Sequence, residues 1–223
     1  APADNVTNFE GIQFLVENPY WEGAKISLYS AGEESIASMP NIKVGKFITQ
    51  VILQNIEVED IDLSNATDLR SAWVQNNPAL QKLDLSYSTI WGQGDKETEG
   101  NGTYGSSLMV LGCPILKEIK LPEKNELKAY RIDIECLDAL ETFDMSNVKM
   151  VAELSIGDLN KDFNLVYPEL TIFYSEDGYA GTYFACSENT FYRESTQAFL
   201  KANYTDIDPD DTVRRLGYTS SLS

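Results

Sequence analysis

The feature that most limits how this chain can fold is a phrase it keeps returning to: apolar, two residues, apolar, one residue, apolar. The phrase has two alternating versions. One ends in a small or polar turn: Val58-Glu-Asp-Ile61-Asp-Leu63-Ser64-Asn65, Leu80-Gln-Lys-Leu83-Asp-Leu85-Ser86, Leu116-Lys-Glu-Ile119-Lys-Leu121-Pro122, Leu140-Glu-Thr-Phe143-Asp-Met145-Ser146-Asn147 and, more loosely, Leu170-Thr-Ile-Phe173-Tyr-Ser175. The other runs on to an Asn or Cys: Leu69-x-x-Ala72-x-Val74-x-x-Asn77, Gly105-x-x-Leu108-x-Val110-x-x-Cys113 and Gly181-x-x-Phe184-x-Cys186-x-x-Asn189. Ile48-x-x-Val51-x-Leu53 with Asn55, Leu127-x-x-Tyr130-x-Ile132 with Cys136, and Val151-x-x-Leu154-x-Ile156 fit with a slipped or missing terminal residue.

Apolar residues two apart share one face of a short strand, and the leading apolar residue anchors the turn before it. The Asn or Cys then belongs at the bend, where a buried Asn can bond backbone groups that the turn leaves unpaired. One such coil cannot bury its apolar side alone, so successive coils must stack and share a core. The prolines in Asn77-Pro78-Ala79-Leu80, Cys113-Pro114-Ile115-Leu116 and Tyr167-Pro168-Glu169-Leu170 fall at matching corners, where a fixed φ is useful and a ladder N–H is not needed.

These residues resemble leucine-rich repeats, in which L-x-x-L-x-L is followed by Asn or Cys. The two-beat alternation is similar to bacterial surface repeats of the internalin-like and BspA-like kinds, and it covers residues 48 to 189. The resemblance implies a leucine-rich-repeat solenoid, α/β or mainly β, with a parallel sheet on its concave face. Gly stands where the leading Leu belongs at 105 and 181, and loops interrupt the count. An ordinary all-β fold with alternating strands and a parallel β-helix are the competing architectures.

Three regions follow from this pattern. Residues 1–47, with Ile12-Gln-Phe14, Ile26-Ser-Leu28 and Ile42-Lys-Val44, are expected to form an irregular N-terminal cap or degenerate repeats. Residues 48–189 carry the repeats, with an insertion at 91–107. Residues 190–223 are expected to supply a C-terminal cap helix over Thr190 to Ala202 and a tail, with Asn189 or Thr190 as N-cap and Phe191, Tyr192, Ala198, Phe199 and Ala202 on one face. In the insertion, Asp95, Glu97, Glu99 and Asn101 could offer oxygens to calcium, but Ser106 stands where an EF-hand loop needs its closing Glu. A solvated loop is the plainer reading, and no metal or other cofactor is assigned.

Composition narrows the function. The 223 residues carry 35 acidic against 17 basic side chains, a net charge of −18 that repels nucleic-acid phosphates and anionic membranes. No apolar run is long enough to span a bilayer, and the start Ala1-Pro2-Ala3-Asp4 reads as a mature or trimmed chain without a signal segment. There is no histidine, which removes the commonest general base and transition-metal ligand. Carboxylate pairs can hydrolyse glycosides without it, yet no spacing selects one pair among 35 acids. Cys113, Cys136 and Cys186 allow one disulfide at most, and two buried thiols at 113 and 136 are the preferred reading over a bond between them.

If the Asn- and Cys-ended phrases form the parallel sheet, residues between their apolar positions face outward. That set comprises Gln50, Ile52, Ser71, Trp73, Gln75, Ser107, Met109, Leu111, Ala129, Arg131, Asp133, Glu153, Ser155, Tyr183 and Ala185. Trp73, Gln75, Met109, Arg131 and Tyr183 are the candidate ligand-binding residues, since aromatic, Met and Arg side chains supply binding energy when desolvated. The family resemblance implies a secreted or cell-surface adhesion scaffold, a non-enzymatic monomer whose partner is an extracellular protein or polysaccharide. A polysaccharide-acting enzyme of β-helix shape and a structural spacer are the alternatives.

Overall fold

The computed structural model of the chain describes residues 24–30, 37–39, 41–93, 105–160, 162–171, 175–176, 179–180 and 183–203. Its centre is a seven-stranded sheet in which the strands lie in sequence order and every neighbouring pair is parallel. The strands are β1 (Ala24–Tyr29), β2 (Ile48–Gln54), β3 (Ser71–Gln75), β4 (Ser107–Leu111), β5 (Leu127–Leu137), β6 (Val148–Leu159) and β7 (Tyr183–Cys186). Each strand from β1 to β6 is followed by a short strand that pairs in a second, discontinuous layer. Ile42–Lys43 pairs with Ile61–Asp62, Lys82–Asp84 with Glu118–Lys120, and Thr142–Asp144 with Asn164–Val166, all in parallel. The two sequence phrases are therefore the two sides of a solenoid-like coil. Parallel neighbours reached through a crossover, coil after coil, are what such stacking requires.

Register turns the sequence pattern into columns. Ile26, Val51, Ala72, Leu108, Ile132, Leu154 and Phe184 line up across the sheet, and so do Leu28, Leu53, Val74, Val110, Ile134, Ile156 and Cys186. Both columns are buried and face the second layer, whose Ile42, Ile61, Leu83, Ile119, Phe143 and Leu165 are buried with them in one continuous core. Each fully buried Val, Leu or Ile contributes roughly 1.5–3 kcal/mol relative to exposure, so the columns supply most of what holds the coils together.

The register also corrects the phrase read at Leu127-x-x-Tyr130-x-Ile132. Ala129 pairs with Val151, and Ile132 and Ile134 occupy the core columns, so the repeat in β5 begins two residues later, at Ala129-x-x-Ile132-x-Ile134-x-x-Leu137. Ala129 is buried rather than outward. The slip arises where β5 departs from simple alternation at Tyr130 and Arg131, both partly exposed.

Coil corners are closed by two devices that the repeat carries. Asn77 is fully buried, and its Oδ1 accepts from the backbone N–H of Val58 (3.4 Å), Ala79 (3.0 Å) and Leu80 (3.1 Å), tying one coil to the previous one. Cys113, Leu137 and Leu159 stand three residues past the same core column and are buried too, whereas Asn189 stands at that spacing in a helix and is exposed. On the other side, the Oδ1 atoms of Asp62, Asp84 and Asp144 accept from the backbone N–H of Ser64, Ser86 and Ser146 at 2.9, 3.0 and 2.8 Å. Those bonds explain the Asp-x-Ser ending of the second phrase, because an Asp bonded two residues ahead sets the turn.

Asn55 and Cys136 do not hold the buried corner. They lie one residue earlier, in a column of left-handed backbone formed by Asn55, Asn76, Gly112, Cys136 and Asp158, whose φ values are 53°, 53°, 64°, 53° and 44°. Left-handed backbone swings the chain out of the sheet, and Asn, Asp and Gly tolerate it best. The ladder continues through the bend, since the N–H of Asn55, Asn76 and Gly112 donates to Gln75, Leu111 and Glu135 of the next strand at 3.0, 2.8 and 3.0 Å.

Beyond β7 the expected single cap helix is two helices, α1 (Glu188–Phe191) and α2 (Glu194–Asn203), with Ser187 as N-cap of the first. The break at Tyr192 and Arg193 lets Arg193 donate to the carbonyls of Leu159, Asn160 and Phe163 in the preceding coil. Phe191, Phe199 and Leu200 are buried, and Tyr167, Phe184 and Phe199 pack ring against ring at 4.6–6.0 Å over the end of the core. Tyr192, expected on the buried face, is 69% exposed, and Ala198 and Ala202 are exposed as well. The strand pattern Ile12-Gln-Phe14, the calcium-loop residues Asp95, Glu97, Glu99 and Asn101, and the tail beyond Asn203 lie outside the described residues. Trp91, read as the start of the insertion, belongs to the core: it is fully buried and its Nε1 donates to the carbonyl of Ser107 at 3.3 Å.

Candidate functional site

The sheet's outer face follows from the same register. Three outward columns alternate with the two core columns. The first holds Lys25, Gln50, Ser71, Ser107, Arg131, Glu153 and Tyr183, the second Ser27, Ile52, Trp73, Met109, Asp133, Ser155 and Ala185, and the third Tyr29, Gln54, Gln75, Leu111, Glu135 and Gly157. Adjacent members of a column are one strand spacing apart, about 4.8 Å, so side chains on neighbouring strands meet.

All five candidate binding residues stand on this face. Trp73 and Met109 are direct neighbours across β3 and β4, both partly buried, and Gln75 lies two residues along β3. Arg131 is one strand further and Tyr183 two strands beyond it, 47% exposed, paired with Glu153. Ser71, Ser107, Asp133 and Ala185, expected to be open, lie in the outward columns but are buried. Short side chains between long neighbours lose their solvent contact even on an outer face.

The polar groups are partly committed to one another. The Nε2 of Gln54 donates to the Oε1 of Gln75 at 3.2 Å, and the Nε2 of Gln50 reaches the Oγ of Ser71 at 3.5 Å. The guanidinium of Arg131 donates to the Oδ2 of Asp133 at 2.8 Å and lies 3.6 Å from Glu153, whose carboxylate also accepts from the Tyr130 hydroxyl at 3.2 Å. The Nε1 of Trp73, a buried atom on this face, has no hydrogen-bond partner among the described residues. Burial pushes the Asp133 carboxyl up, and the Arg131 guanidinium and then the Ser155 hydroxyl oppose that shift. Glu135 is raised as well, by burial first and then by the charges of Asp133 and Asp158.

Asp133 and Glu153 were legible as outward residues, but Glu135, Gly157 and Asp158 were missed. The signal for Glu135 was the alternation Arg131-Ile132-Asp133-Ile134-Glu135, which continues the outward set once the two-residue slip in β5 is recognised, and Gly157 stands opposite Glu135 in the next strand. Among the described residues no group of three or more Cys, Asp or Glu side chains is placed to hold a metal ion, and no helix is long and apolar enough to cross a membrane. All three cysteines are free thiols. No family model, curated protein or solved structure matches this chain.

Proposed function

We propose that the chain is a leucine-rich-repeat scaffold of an extracellular or cell-surface protein, acting by binding rather than catalysis, with the outer face of the long sheet as its ligand face. One observation carries the reading. The indole of Trp73 stands in an outward column beside Ile52 and Met109 with its N–H buried and unpaired among the described residues. An unmet buried donor costs about 1–3 kcal/mol, a cost that a ligand acceptor seated on this face would remove. The aromatic, Met and Arg side chains around it are the types that dominate binding energy once water is excluded. Family resemblance in the repeat phrases supports the extracellular setting, and the partner class is a protein or a polysaccharide.

The reading is tested by screening the protein against a glycan array and a panel of extracellular matrix proteins, then repeating any positive with Trp73→Ala, Arg131→Ala and Tyr183→Ala. Loss of binding in the first two is expected. The sheet-face assignment is abandoned if those variants bind normally while shortening the 94–104 segment removes binding.

A further inference from the structure

Along the outer face the columns change character. In β5 and β6 the outward positions include Arg131, Asp133, Glu135 and Glu153, with Arg131 paired to Asp133 and Glu153. In β2, β3 and β4 they hold only glutamine, serine, isoleucine, tryptophan, methionine and leucine, so this half of the face carries no charge in a chain of which 23% is charged. Lys25 on β1 and Arg131 on β5 flank the uncharged half.

Trp73 stands at its centre. The residue lies between Ile52 and Met109, each one strand spacing of about 4.8 Å away, and is partly exposed. Its Nε1 is sealed from water, so the side-chain surface it offers to solvent is carbon. Amides lie on both sides of it along the strands, two residues or roughly 7 Å distant. On one side the Nε2 of Gln50 reaches the Oγ of Ser71 at 3.5 Å. On the other the Nε2 of Gln54 donates to the Oε1 of Gln75 at 3.2 Å, and one residue further the Nδ2 of Asn76 donates to the Oδ1 of Asn55 at 2.8 Å. The Gln54–Gln75 pair uses one donor and one acceptor. The Oε1 of Gln54 and the Nε2 of Gln75 have no hydrogen-bond partner among the described residues, so this row keeps an acceptor and a donor for a ligand.

We propose that the uncharged half of the face holds a neutral polysaccharide, with one sugar ring laid on Trp73 and its hydroxyls bonded to the amides of Gln50, Gln54 and Gln75. This rests on the sheet's outer face being the ligand face, and it chooses polysaccharide over protein. Charge and polarity decide the occupant. A pyranose ring has a C–H-bearing face that packs on the electron-rich face of an indole, and a rim of hydroxyls that are each donor and acceptor, the dual character that the amide row keeps free. An aromatic platform with a few placed amides is also the usual make-up of a small-ligand site. The net charge of −18 repels an acidic polysaccharide, and the uncharged strip offers no counter-charge to a basic one. A protein surface that laid apolar side chains on Trp73 and Met109 would bury the flanking amides without matching hydroxyls, which is costly.

The test is isothermal titration calorimetry with three uncharged oligosaccharides, cellopentaose, laminaripentaose and mannopentaose, and with pentagalacturonate as an anionic counterpart. Each is titrated into the wild-type chain and into Trp73→Ala, Gln75→Met and Tyr87→Ala, with melting temperatures recorded. Tyr87 is 49% exposed in the turn after the short strand Lys82–Asp84 of the second layer, and it controls for stacking of sugar on any exposed ring. Saturable binding of at least one uncharged pentaose is expected, weakened about tenfold or more by Trp73→Ala and by Gln75→Met and unchanged within about twofold by Tyr87→Ala. Gln75→Met keeps the length of the side chain and widens the apolar strip. It therefore preserves or tightens the hold on an apolar protein surface while removing the donor and acceptor that sugar hydroxyls need, and it decides the matter if Trp73→Ala fails to fold. Absence of saturable binding to all three uncharged pentaoses, tighter binding of pentagalacturonate, or binding unmoved by Gln75→Met overturns the proposal. If a matrix protein binds the wild-type chain and is lost with Trp73→Ala while the pentaoses do not bind, the ligand face stands and the polysaccharide falls. If Trp73→Ala alters the binding of no ligand, both fall.

Discussion

The column of left-handed residues predicts a large loss of stability at one of its positions and almost none at another. Gly112 has φ +64°, and a Cβ built there would sit 2.6 Å from the Oδ1 of Asn76. Gly112→Ala therefore brings two costs. Holding an L side chain in the left-handed region costs about 1–2 kcal/mol. The overlap also forces the Asn76 amide to rotate away from the Oδ1 of Asn55, to which its Nδ2 now donates at 2.8 Å, a solvent-exposed bond worth roughly 0.5 kcal/mol. The sum is about 2 kcal/mol, or a fall in Tm of roughly 4–8 °C for a chain of this size. At Cys136 the same backbone is held by a residue that pays the strain already. Cys136→Gly removes that strain of about 1 kcal/mol and adds a similar entropic cost in the unfolded chain, so its net effect should fall within about 0.5 kcal/mol of zero. Urea unfolding followed by far-ultraviolet circular dichroism measures both. A third variant isolates the overlap: in an Asn76→Ala background Gly112→Ala should cost less, by at least about 0.5 kcal/mol, because the clashing amide is gone. The reasoning is refuted if Gly112→Ala is neutral, or if Cys136→Gly destabilises as much as Gly112→Ala does.

Three further outcomes follow from the geometry. Asn77→Ala deprives the buried N–H groups of Val58 and Leu80 of their acceptor but also deletes an Nδ2 without a partner among the described residues, so the net loss in urea unfolding should be about 2 kcal/mol; a loss under about 0.5 kcal/mol would show that the amide does not close the corner. The Glu135 carboxyl is raised in the folded state, so its protonated form favours folding and that contribution disappears as pH rises through the folded value. Glu135→Gln should therefore gain stability relative to wild type at pH 7, with the gap closing below about pH 4; a gap that widens on acidification would contradict the shift. Burial holds the Cys113 and Cys186 thiols up at about 11 and about 12; the Cys136 thiol is raised too, by burial and then by the charges of Asp158, Glu135 and Asp138, but it is only half-buried and open to reagent. An aromatic disulfide reagent at pH 8 should modify one thiol in the native chain and all three in guanidinium, and rapid native reaction at all three would show that the coils open.

What the sequence revealed, and what it hid, has a physical pattern. The core columns were legible because burial imposes a period that no local accident can disguise: Val51 and Leu53, Ala72 and Val74, Leu108 and Val110, Leu154 and Ile156 all stand where the spacing predicts. The slip in β5 was not, because Leu127, Ala129, Tyr130, Ile132 and Ile134 satisfy two overlapping copies of the phrase and only pairing with β6 chooses between them. Asn55 and Cys136 misled for a related reason. The same residue types serve the buried corner, where polarity and size matter, and the left-handed position one residue earlier, where backbone tolerance matters. The cap helix broke at Tyr192 and Arg193 because three backbone carbonyls of the last coil claim the Arg193 guanidinium, a tertiary demand that no helical periodicity encodes.

The alternation that makes the fold legible also separates binding from stability. In a strand the side chains that hold the core and those that meet a ligand point to opposite faces, so an outward column can change without disturbing the inward one beside it. Ile52, Trp73, Met109, Asp133, Ser155 and Ala185 share one register position and range from apolar to charged to small, while the core column next to them stays apolar throughout. The core does not dictate that variety, and a chain used only as a spacer gains nothing from a buried indole N–H without a partner among the described residues, which costs stability. Replacing Trp73 by leucine should accordingly leave the core columns packed and remove the unmet donor, so that the variant is at least as stable as wild type in urea while its ligand affinity falls. A variant that lost stability and kept affinity would assign Trp73 to the scaffold instead.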